Sequence, residues 1–109
     1  MSDLSILNEL FETIEKRKKA DPEKSYTAKL FAKGRAKIAQ KLGEEAVESV
    51  IEAMRGDKHK LAEESADLLY HLLVVWADVG IAPADVAVVI KDRMGYSGEE
   101  AKKHKKGGD

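Results

Sequence analysis

The stretch KLGEEAVESVIEAMRGDKHKLAEESADLLYHLLV, residues 41–74, decides the fold of this chain. Each half carries apolar residues at helical spacing, and Gly56-Asp57 between the halves is typical of one helix ending and the next beginning. Because the connection between them is short, the two helices are expected to lie side by side and antiparallel. The predicted centre of the molecule is therefore an αα-hairpin.

Acidic residues recur on both arms of this hairpin. On a helical wheel, the first arm places four glutamates within one arc of roughly 100°: Glu44, Glu45, Glu48 and Glu52. Lys37 and Lys41 share that arc. Taken alone, the arc is typical of a solvated face on which lysines and glutamates pair at i,i+4.

The second arm changes that interpretation. Glu64 and Asp67, at i,i+3, lie at the edge of its buried segment, where an unpaired carboxylate is costly. Both acidic clusters lie about two turns from the connection, so the hairpin brings them level. Facing carboxylates repel unless cations neutralise them. An oxygen-only ligand set favours Mg²⁺, or Mn²⁺, over zinc.

The rest of the chain predicts an all-α protein, a helical bundle of about five helices. A first helix ending in KRKK (16–19) should be capped by Ser2 or Asp3, and a short second one by Ser25 or Thr27. Gly34 should separate the short helix from the long helix that follows, and Pro83 should open the last one. The second arm of the hairpin is apolar around most of its circumference. Its core is therefore expected to be completed by dimerisation through that helix.

Length and charge limit the number of domains and the kinds of partner that the chain can have. The 109 residues suit one domain, predicted over 1–98, with a basic, mobile tail over 99–109. A net charge of -1 argues for neither a nucleic-acid nor a membrane partner, and cysteine is absent. No apolar run reaches the roughly 20 residues that cross a bilayer, and the acidic start is unlike a secretory signal. A cytoplasmic protein is expected.

The carboxylate pattern resembles that of a known superfamily. Glu44-Glu45-Ala-Val-Glu48, fifteen residues and then Glu64-Ser-Ala-Asp67 resemble the EExxE…ExxD signature of the MazG-like all-α nucleoside-triphosphate pyrophosphohydrolases. Three segments, SYTAKLFAKG (25–34), KIAQKLGEEAVE (37–48) and EESADLLYHLLV (63–74), are similar to the phosphoribosyl-ATP pyrophosphohydrolases of histidine biosynthesis. The resemblance implies Mg²⁺-dependent hydrolysis of 1-(5-phosphoribosyl)-ATP to 1-(5-phosphoribosyl)-AMP and pyrophosphate.

The resemblance also assigns roles to residues. The expected metal ligands are Glu45, Glu48, Glu64 and Asp67. The group that activates water is expected to be Glu45, with Glu44 as a further ligand or supporting group. The expected substrate-binding residues are Lys37, Lys41, Ser25, Tyr26, Thr27 and Lys29, and His71 is expected to hold the Asp67 carboxylate.

Structural alternatives remain for several of these residues. Lys37 and Lys41 could serve only as partners of the glutamates on their own helix. Ser25 or Thr27 could be a helix cap, and His71 a core histidine with satisfied ring nitrogens.

Two other functions also fit the sequence. One is a house-cleaning pyrophosphohydrolase that acts on non-standard or deoxynucleoside triphosphates with the same metal cluster. The other is a helical dimerisation module whose acidic stripe is only solvated. The first differs in how the base and second ribose are held, whereas the second predicts that neutralising Glu45 or Asp67 has no effect on Mg²⁺ binding.

Overall fold

The computed structural model describes residues 5–95. Five helices follow one another in this part of the chain, as the sequence predicts. They are α1 (Ile6–Arg17), α2 (Tyr26–Lys33), α3 (Arg35–Arg55), α4 (Lys58–Val79) and α5 (Pro83–Met94). No strand occurs between residues 5 and 95, which confirms the all-α class. The expected caps Ser2 and Asp3 and the tail over 99–109 lie outside the described residues.

The helix boundaries follow from local chemistry. Ser25 rather than Thr27 caps α2, accepting the Ala28 N–H at 3.1 Å, and Asp57 caps α4 by accepting the Lys60 N–H at 3.0 Å. Gly34 separates α2 from α3 with φ 94° and ψ 171°, backbone angles that residues with a Cβ rarely adopt. Pro83 opens α5, as predicted.

The hydrophobic core lies at the end of the hairpin remote from its connection. Its six buried members come from four helices: Ile14, Leu30, Ile38, Leu73, Val74 and Ala77. Two hydrogen bonds link helices at the same end of the hairpin. Lys18 Nζ donates to the Ala77 carbonyl oxygen at 2.9 Å, and Arg35 Nε donates to Asp78 Oδ2 at 2.7 Å. The core therefore fixes how α3 and α4 are rotated against each other.

Beyond the core, α3 turns its polar side towards α4. Glu45, Ser49 and Glu52 lie on this inner side and are buried or half-buried. The opposite side carries Val47, Val50, Ile51 and Met54, which are 59%, 61%, 44% and 83% exposed. A helix in a globular chain normally buries its apolar stripe, so α3 has an apolar face that this chain alone does not cover.

The second arm of the hairpin is buried within its own chain only over its C-terminal half. His71, Leu73, Val74 and Ala77 of α4 are buried against the other helices. Within residues 5–95, no single helix is long and apolar enough to cross a membrane. The α4–α5 pair meets that criterion only jointly, with a bend of 109° at the break.

The α4 cap gives the first testable prediction. Replacing Asp57 by Ala removes the acceptor for the Lys60 N–H and should lower the free energy of unfolding by about 1 kcal/mol in a urea titration. Asp57→Ser keeps a side-chain acceptor and should retain most of the stability. Equal losses in both variants would mean that the charge of Asp57, rather than its capping bond, stabilises the helix.

Candidate functional site

Three carboxylates converge where α3 and α4 pass each other. One oxygen from each of Glu45, Glu48 and Glu64 lies within 4.8 Å of the other two. Two of these side chains come from consecutive turns of α3 and the third from α4, so the hairpin brings together three of the four expected metal ligands. We call Glu45, Glu48 and Glu64 the carboxylate triad.

The triad disfavours a full set of negative charges. Desolvation, followed by the charge of Glu48 and a hydrogen bond with Glu45, raises the pKa of Glu64 from 4.5 to about 7. Among the described residues, Glu64 Oε1 is also buried without a hydrogen-bond partner. A buried acceptor without a donor is costly, and a bound cation would satisfy it. The triad therefore fits a divalent cation.

Ser49 supports the triad and was missed in the sequence. Its hydroxyl donates to the Glu45 main-chain carbonyl at 2.9 Å and lies 3.4 Å from the Glu64 main-chain carbonyl oxygen. This small, buried residue lets α3 and α4 approach at the level of the carboxylates. Its position four residues after Glu45, on the same side of the helix, was the available signal.

Glu52 continues the inner side of α3 one turn beyond the triad. Its Oε2 accepts from Arg55 at 3.4 Å, whereas Oε1 is buried without a partner in the described part of the chain. The structure thus separates the four glutamates that share one arc of the sequence wheel. Glu45 and Glu52 are half-buried, while Glu44 and Glu48 are exposed.

Asp67 lies beside the triad but outside its closest set of oxygens. Its charge contributes to the raised pKa of Glu64. The predicted role of His71 changes in detail, because His71 Nδ1 lies 2.9 Å from the main-chain carbonyl oxygen of Asp67 rather than from its carboxylate. His71 is buried and both ring nitrogens have partners, so the core-histidine alternative describes its environment correctly.

Glu44 faces outward and belongs to a separate ionic group on α3. It accepts from Gln40 at 2.8 Å and from Lys41 at 3.1 Å. These two bonds, with the charges of Lys41 and Lys37, lower the pKa of Glu44. Lys41 therefore pairs with Glu44 in the i,i+3 arrangement expected of an intrahelical network, whereas Lys37 lies seven residues before Glu44 and contributes only its charge.

A groove of about 570 Å³ runs along this outer side of α3. Gln40, Gly43, Glu44, Val47 and Glu48 line it. Glu48 thus belongs both to the carboxylate triad and to the groove wall. The groove therefore adjoins the triad at Glu48.

The start of α2 brings only part of the predicted substrate-binding set to the site. Thr27 is buried and its hydroxyl is hydrogen-bonded to that of Tyr70, whereas Ser25 uses its oxygen as the helix cap. Lys29 is exposed. Tyr26 is 51% exposed, and its hydroxyl lies 3.3 Å from His71 Nε2. Tyr26 is therefore the member of this segment that connects α2 with the site.

An all-α chain that holds a carboxylate cluster between two antiparallel helices has the architecture expected of the all-α nucleoside-triphosphate pyrophosphohydrolases. Comparison with known proteins narrows this class. The family model for phosphoribosyl-ATP pyrophosphohydrolase matches residues 7–94. The chain belongs to this family.

Named relatives agree over nearly the whole chain. The phosphoribosyl-ATP pyrophosphatase of Azospirillum brasilense is 60% identical over 102 residues, covering 94% of this chain and 92% of the relative. Its counterpart from Paramagnetospirillum magneticum is 58% identical over 101 residues, covering 93% of each chain. That of Cereibacter sphaeroides is 56% identical over 95 residues, covering 87% of this chain and 92% of the relative.

The raised pKa of Glu64 predicts a pH-dependent stability. Because the folded-state pKa lies above the unfolded value of 4.5, the stabilising contribution of the proton is complete below 4.5 and is lost as pH rises through about 7. Glu64→Gln should therefore unfold at a higher urea concentration than the wild type at pH 8 in EDTA. The difference should vanish below pH 4.5.

Glu63→Gln is the matched control, since the neighbouring carboxylate is exposed and pairs with His59 at 3.3 Å. It should not reproduce the gain at pH 8. Added Mg²⁺ should stabilise the wild type more than Glu64→Gln, because a ligand that binds only the folded state stabilises it. Equal stability of wild type and Glu64→Gln at pH 8 in EDTA would contradict the inference that an ionised Glu64 destabilises the metal-free fold.

Proposed function

We propose that this chain hydrolyses the α–β phosphoanhydride of 1-(5-phosphoribosyl)-ATP, giving 1-(5-phosphoribosyl)-AMP and pyrophosphate in the second step of histidine biosynthesis. The observation that carries the proposal is the carboxylate triad at the α3–α4 crossing, found in a chain of this family. The named relatives support the choice of substrate over other nucleotides. The substrate is made from intracellular ATP, so we place the protein in the cytoplasm.

The triad is the proposed magnesium site. Glu45, Glu48 and Glu64 would hold Mg²⁺, and Asp67, whose oxygens lie outside this group but whose charge acts on Glu64, is proposed as a further ligand. Oxygen-only ligands favour Mg²⁺ or Mn²⁺. Bound Mg²⁺ supplies two things to this reaction: neutralisation of phosphate charge and a bound water of lowered pKa.

The two neighbouring glutamates have different proposed roles. Glu45 lies within the triad, and we assign to it the orientation and deprotonation of the attacking water. Glu44 is bonded to Gln40 and Lys41 on the outer side of α3, so its role is to hold Lys41. Water activation therefore falls to Glu45, and Glu44 acts on the phosphate-binding side.

The phosphate chain would extend along the groove beside α3. Lys41 and Lys37 lie about one and two turns before the triad, where their ammonium groups would meet phosphate charge. Tyr26, Lys29 and the hydroxyl hydrogen of Ser25 are the proposed contacts from α2. Thr27 is left out of this set, because it is buried and bonded to Tyr70.

The activity is tested by measuring pyrophosphate release with Mg²⁺. Phosphoribosyl-ATP should exceed dCTP, dUTP and ATP by at least about 100-fold in kcat/KM. A plain nucleotide lacks the second ribose, so the protein groups that would hydrogen-bond that ribose would be left unpaired. Chelation by EDTA should abolish turnover. A preference for a plain deoxynucleotide would instead support the house-cleaning function.

Variants of the triad connect this activity to the proposed metal site. Glu45→Gln and Glu48→Gln should each lower kcat/KM by at least about 100-fold and weaken Mg²⁺ binding in calorimetry. Glu63→Gln, an exposed neighbour of the triad, should stay within about twofold of the wild type. Unchanged Mg²⁺ affinity in both triad variants would support the solvated-stripe alternative.

The uncovered face of α3 supports a homodimer. Val47, Val50, Ile51 and Met54 recur at i, i+3, i+4 and i+7, so they form one stripe. We propose that this stripe packs against the same stripe of a second copy, as two-fold symmetry requires. The proposed interface thus moves from α4, where the sequence placed it, to α3, because the most buried apolar residues of α4 pack within their own chain whereas the stripe on α3 is exposed.

Sedimentation tests the interface. The wild type should sediment at about 24 kDa, twice the chain mass of 12.0 kDa. Val50→Glu should dissociate it, because the carboxylate would be desolvated between two apolar stripes. Val79→Glu, at an exposed apolar position at the end of α4, is the matched control and should remain dimeric. Dissociation by Val79→Glu but not by Val50→Glu would return the interface to α4.

A further inference from the structure

Ser49 lies between the two arms of the hairpin at the level of the carboxylate triad. It is a polar residue, yet only 9% of it is exposed. Its Oγ donates to the main-chain carbonyl oxygen of Glu45 at 2.9 Å and lies 3.4 Å from that of Glu64. One side chain therefore contacts the backbone of two triad members, one on each helix.

The two contacts of Ser49 differ in origin. A serine hydroxyl has one hydrogen, and both of its partners here are carbonyl oxygens that can only accept. The contact with Glu45 lies within α3 and is the usual bond of a helical serine to the carbonyl four residues earlier. The contact with Glu64 crosses to α4. It shows how close the two backbones come, because Cβ and Oγ of Ser49 alone span the distance from α3 to the Glu64 carbonyl oxygen.

The spacing of the backbones at Ser49 affects the spacing of the triad. Glu45 and Glu64, whose carbonyl groups meet at this residue, also carry two of the three converging carboxylates. One oxygen of each lies within 4.8 Å of the other and of an oxygen of Glu48. Glu45 and Glu64 are half-buried, so their side chains have little room to compensate if the helices move apart. A wider crossing at Ser49 should therefore separate the carboxylate of α4 from those of α3.

The spacing of the carboxylates matters because divalent cations differ in size. Mg²⁺ binds oxygens at about 2.0–2.1 Å in a near-ideal octahedron, whereas Ca²⁺ accepts distances of about 2.3–2.6 Å and less regular geometries. A closely spaced set of carboxylates therefore favours Mg²⁺. When the set widens, the affinity for Mg²⁺ falls more than the affinity for Ca²⁺ does.

We propose that Ser49 is a positioning residue for metal selection: its small side chain lets α3 and α4 approach to the separation at which the triad binds Mg²⁺ in preference to the larger Ca²⁺. A side chain with a second γ atom would need more room at the same place. The inference rests on the proposed function in taking the triad as the magnesium site, and it is independent of which nucleotide is hydrolysed.

Ser49→Thr tests the spacing, because threonine keeps the hydroxyl and adds one methyl group to a closely packed crossing. The full chain, freed of metal, is titrated with Mn²⁺ without substrate, and free Mn²⁺ is followed by its EPR signal. Displacement of Mn²⁺ by Mg²⁺ or Ca²⁺ then gives the affinity for each ion. Ser49→Thr should weaken Mg²⁺ binding by about tenfold, as loss of support for a metal ligand does. It should weaken Ca²⁺ binding by less than about threefold, since Ca²⁺ tolerates longer and less regular bonds.

Two controls separate the spacing from other effects of a substitution. Ser49→Ala removes the hydroxyl but adds no atom, so the helices stay close, and the ratio of Mg²⁺ to Ca²⁺ affinity should remain within about twofold of the wild type. Ala77→Val adds bulk to the hydrophobic core about 20 Å along α4 from Glu64. It should lower the urea midpoint of unfolding without changing that ratio.

Ser49→Cys, whose sulfur is larger than the hydroxyl oxygen, should shift the ratio in the same direction as Ser49→Thr by a smaller factor, and it replaces the threonine variant if that one does not fold. An unchanged ratio in the variants that add bulk at Ser49, or an equal shift in Ser49→Ala or Ala77→Val, would overturn the inference. Wild-type protein that binds these ions but does not hydrolyse phosphoribosyl-ATP would defeat the proposed substrate alone. Wild-type protein that binds no Mn²⁺ would defeat the metal site and the role of Ser49 together.

Discussion

The constraint on which the rest of the structure depends is the meeting of three carboxylates at the α3–α4 crossing. One oxygen from each of Glu45, Glu48 and Glu64 lies within 4.8 Å of the other two. Among the described residues, Glu64 Oε1 is buried without a hydrogen-bond donor. Desolvation and the neighbouring carboxylates raise the pKa of Glu64, so this arrangement tolerates a full set of charges poorly without a counter-ion. A site that is unfavourable when empty is suited to binding a divalent cation, because binding removes the repulsion.

The repelling carboxylates and the hydrophobic core that stabilises the fold lie at different ends of the hairpin. The buried aliphatic side chains lie at the other end of the hairpin, where α1 and α2 pack and where Lys18 and Arg35 close the base. The hairpin is thus held firmly at one end, while its polar half carries the site. The same rotation of α3 that directs Glu45 and Glu52 inward exposes its apolar side, which links the site to the proposed second copy.

Two kinds of hydroxyl group at the start of α2 show how neighbouring residues acquire different roles. Thr27 turns inward and bonds to Tyr70, while Tyr26 turns outward and bonds to His71. Both belong to a segment that resembles a substrate-binding motif, yet only Tyr26 combines an exposed phenol with a bond to the site. In helix α2, successive residues point about 100° apart, so Thr27 can turn into the core while Tyr26 beside it faces outward.

The sequence by itself determined the five helices, the cap at Asp57, the antiparallel hairpin and the meeting of its acidic turns. These features depend on local preferences and on helical periodicity, which are encoded within a few turns of chain. Only the tertiary structure decided that Glu45 enters the triad while Glu44 pairs with Lys41, that Ser49 fills the crossing and that His71 bonds to a main-chain carbonyl. Those outcomes depend on the rotation of α3 and α4 about their own axes. That rotation is set by distant core contacts among Ile14, Leu30, Ile38 and Val74, which no local pattern specifies.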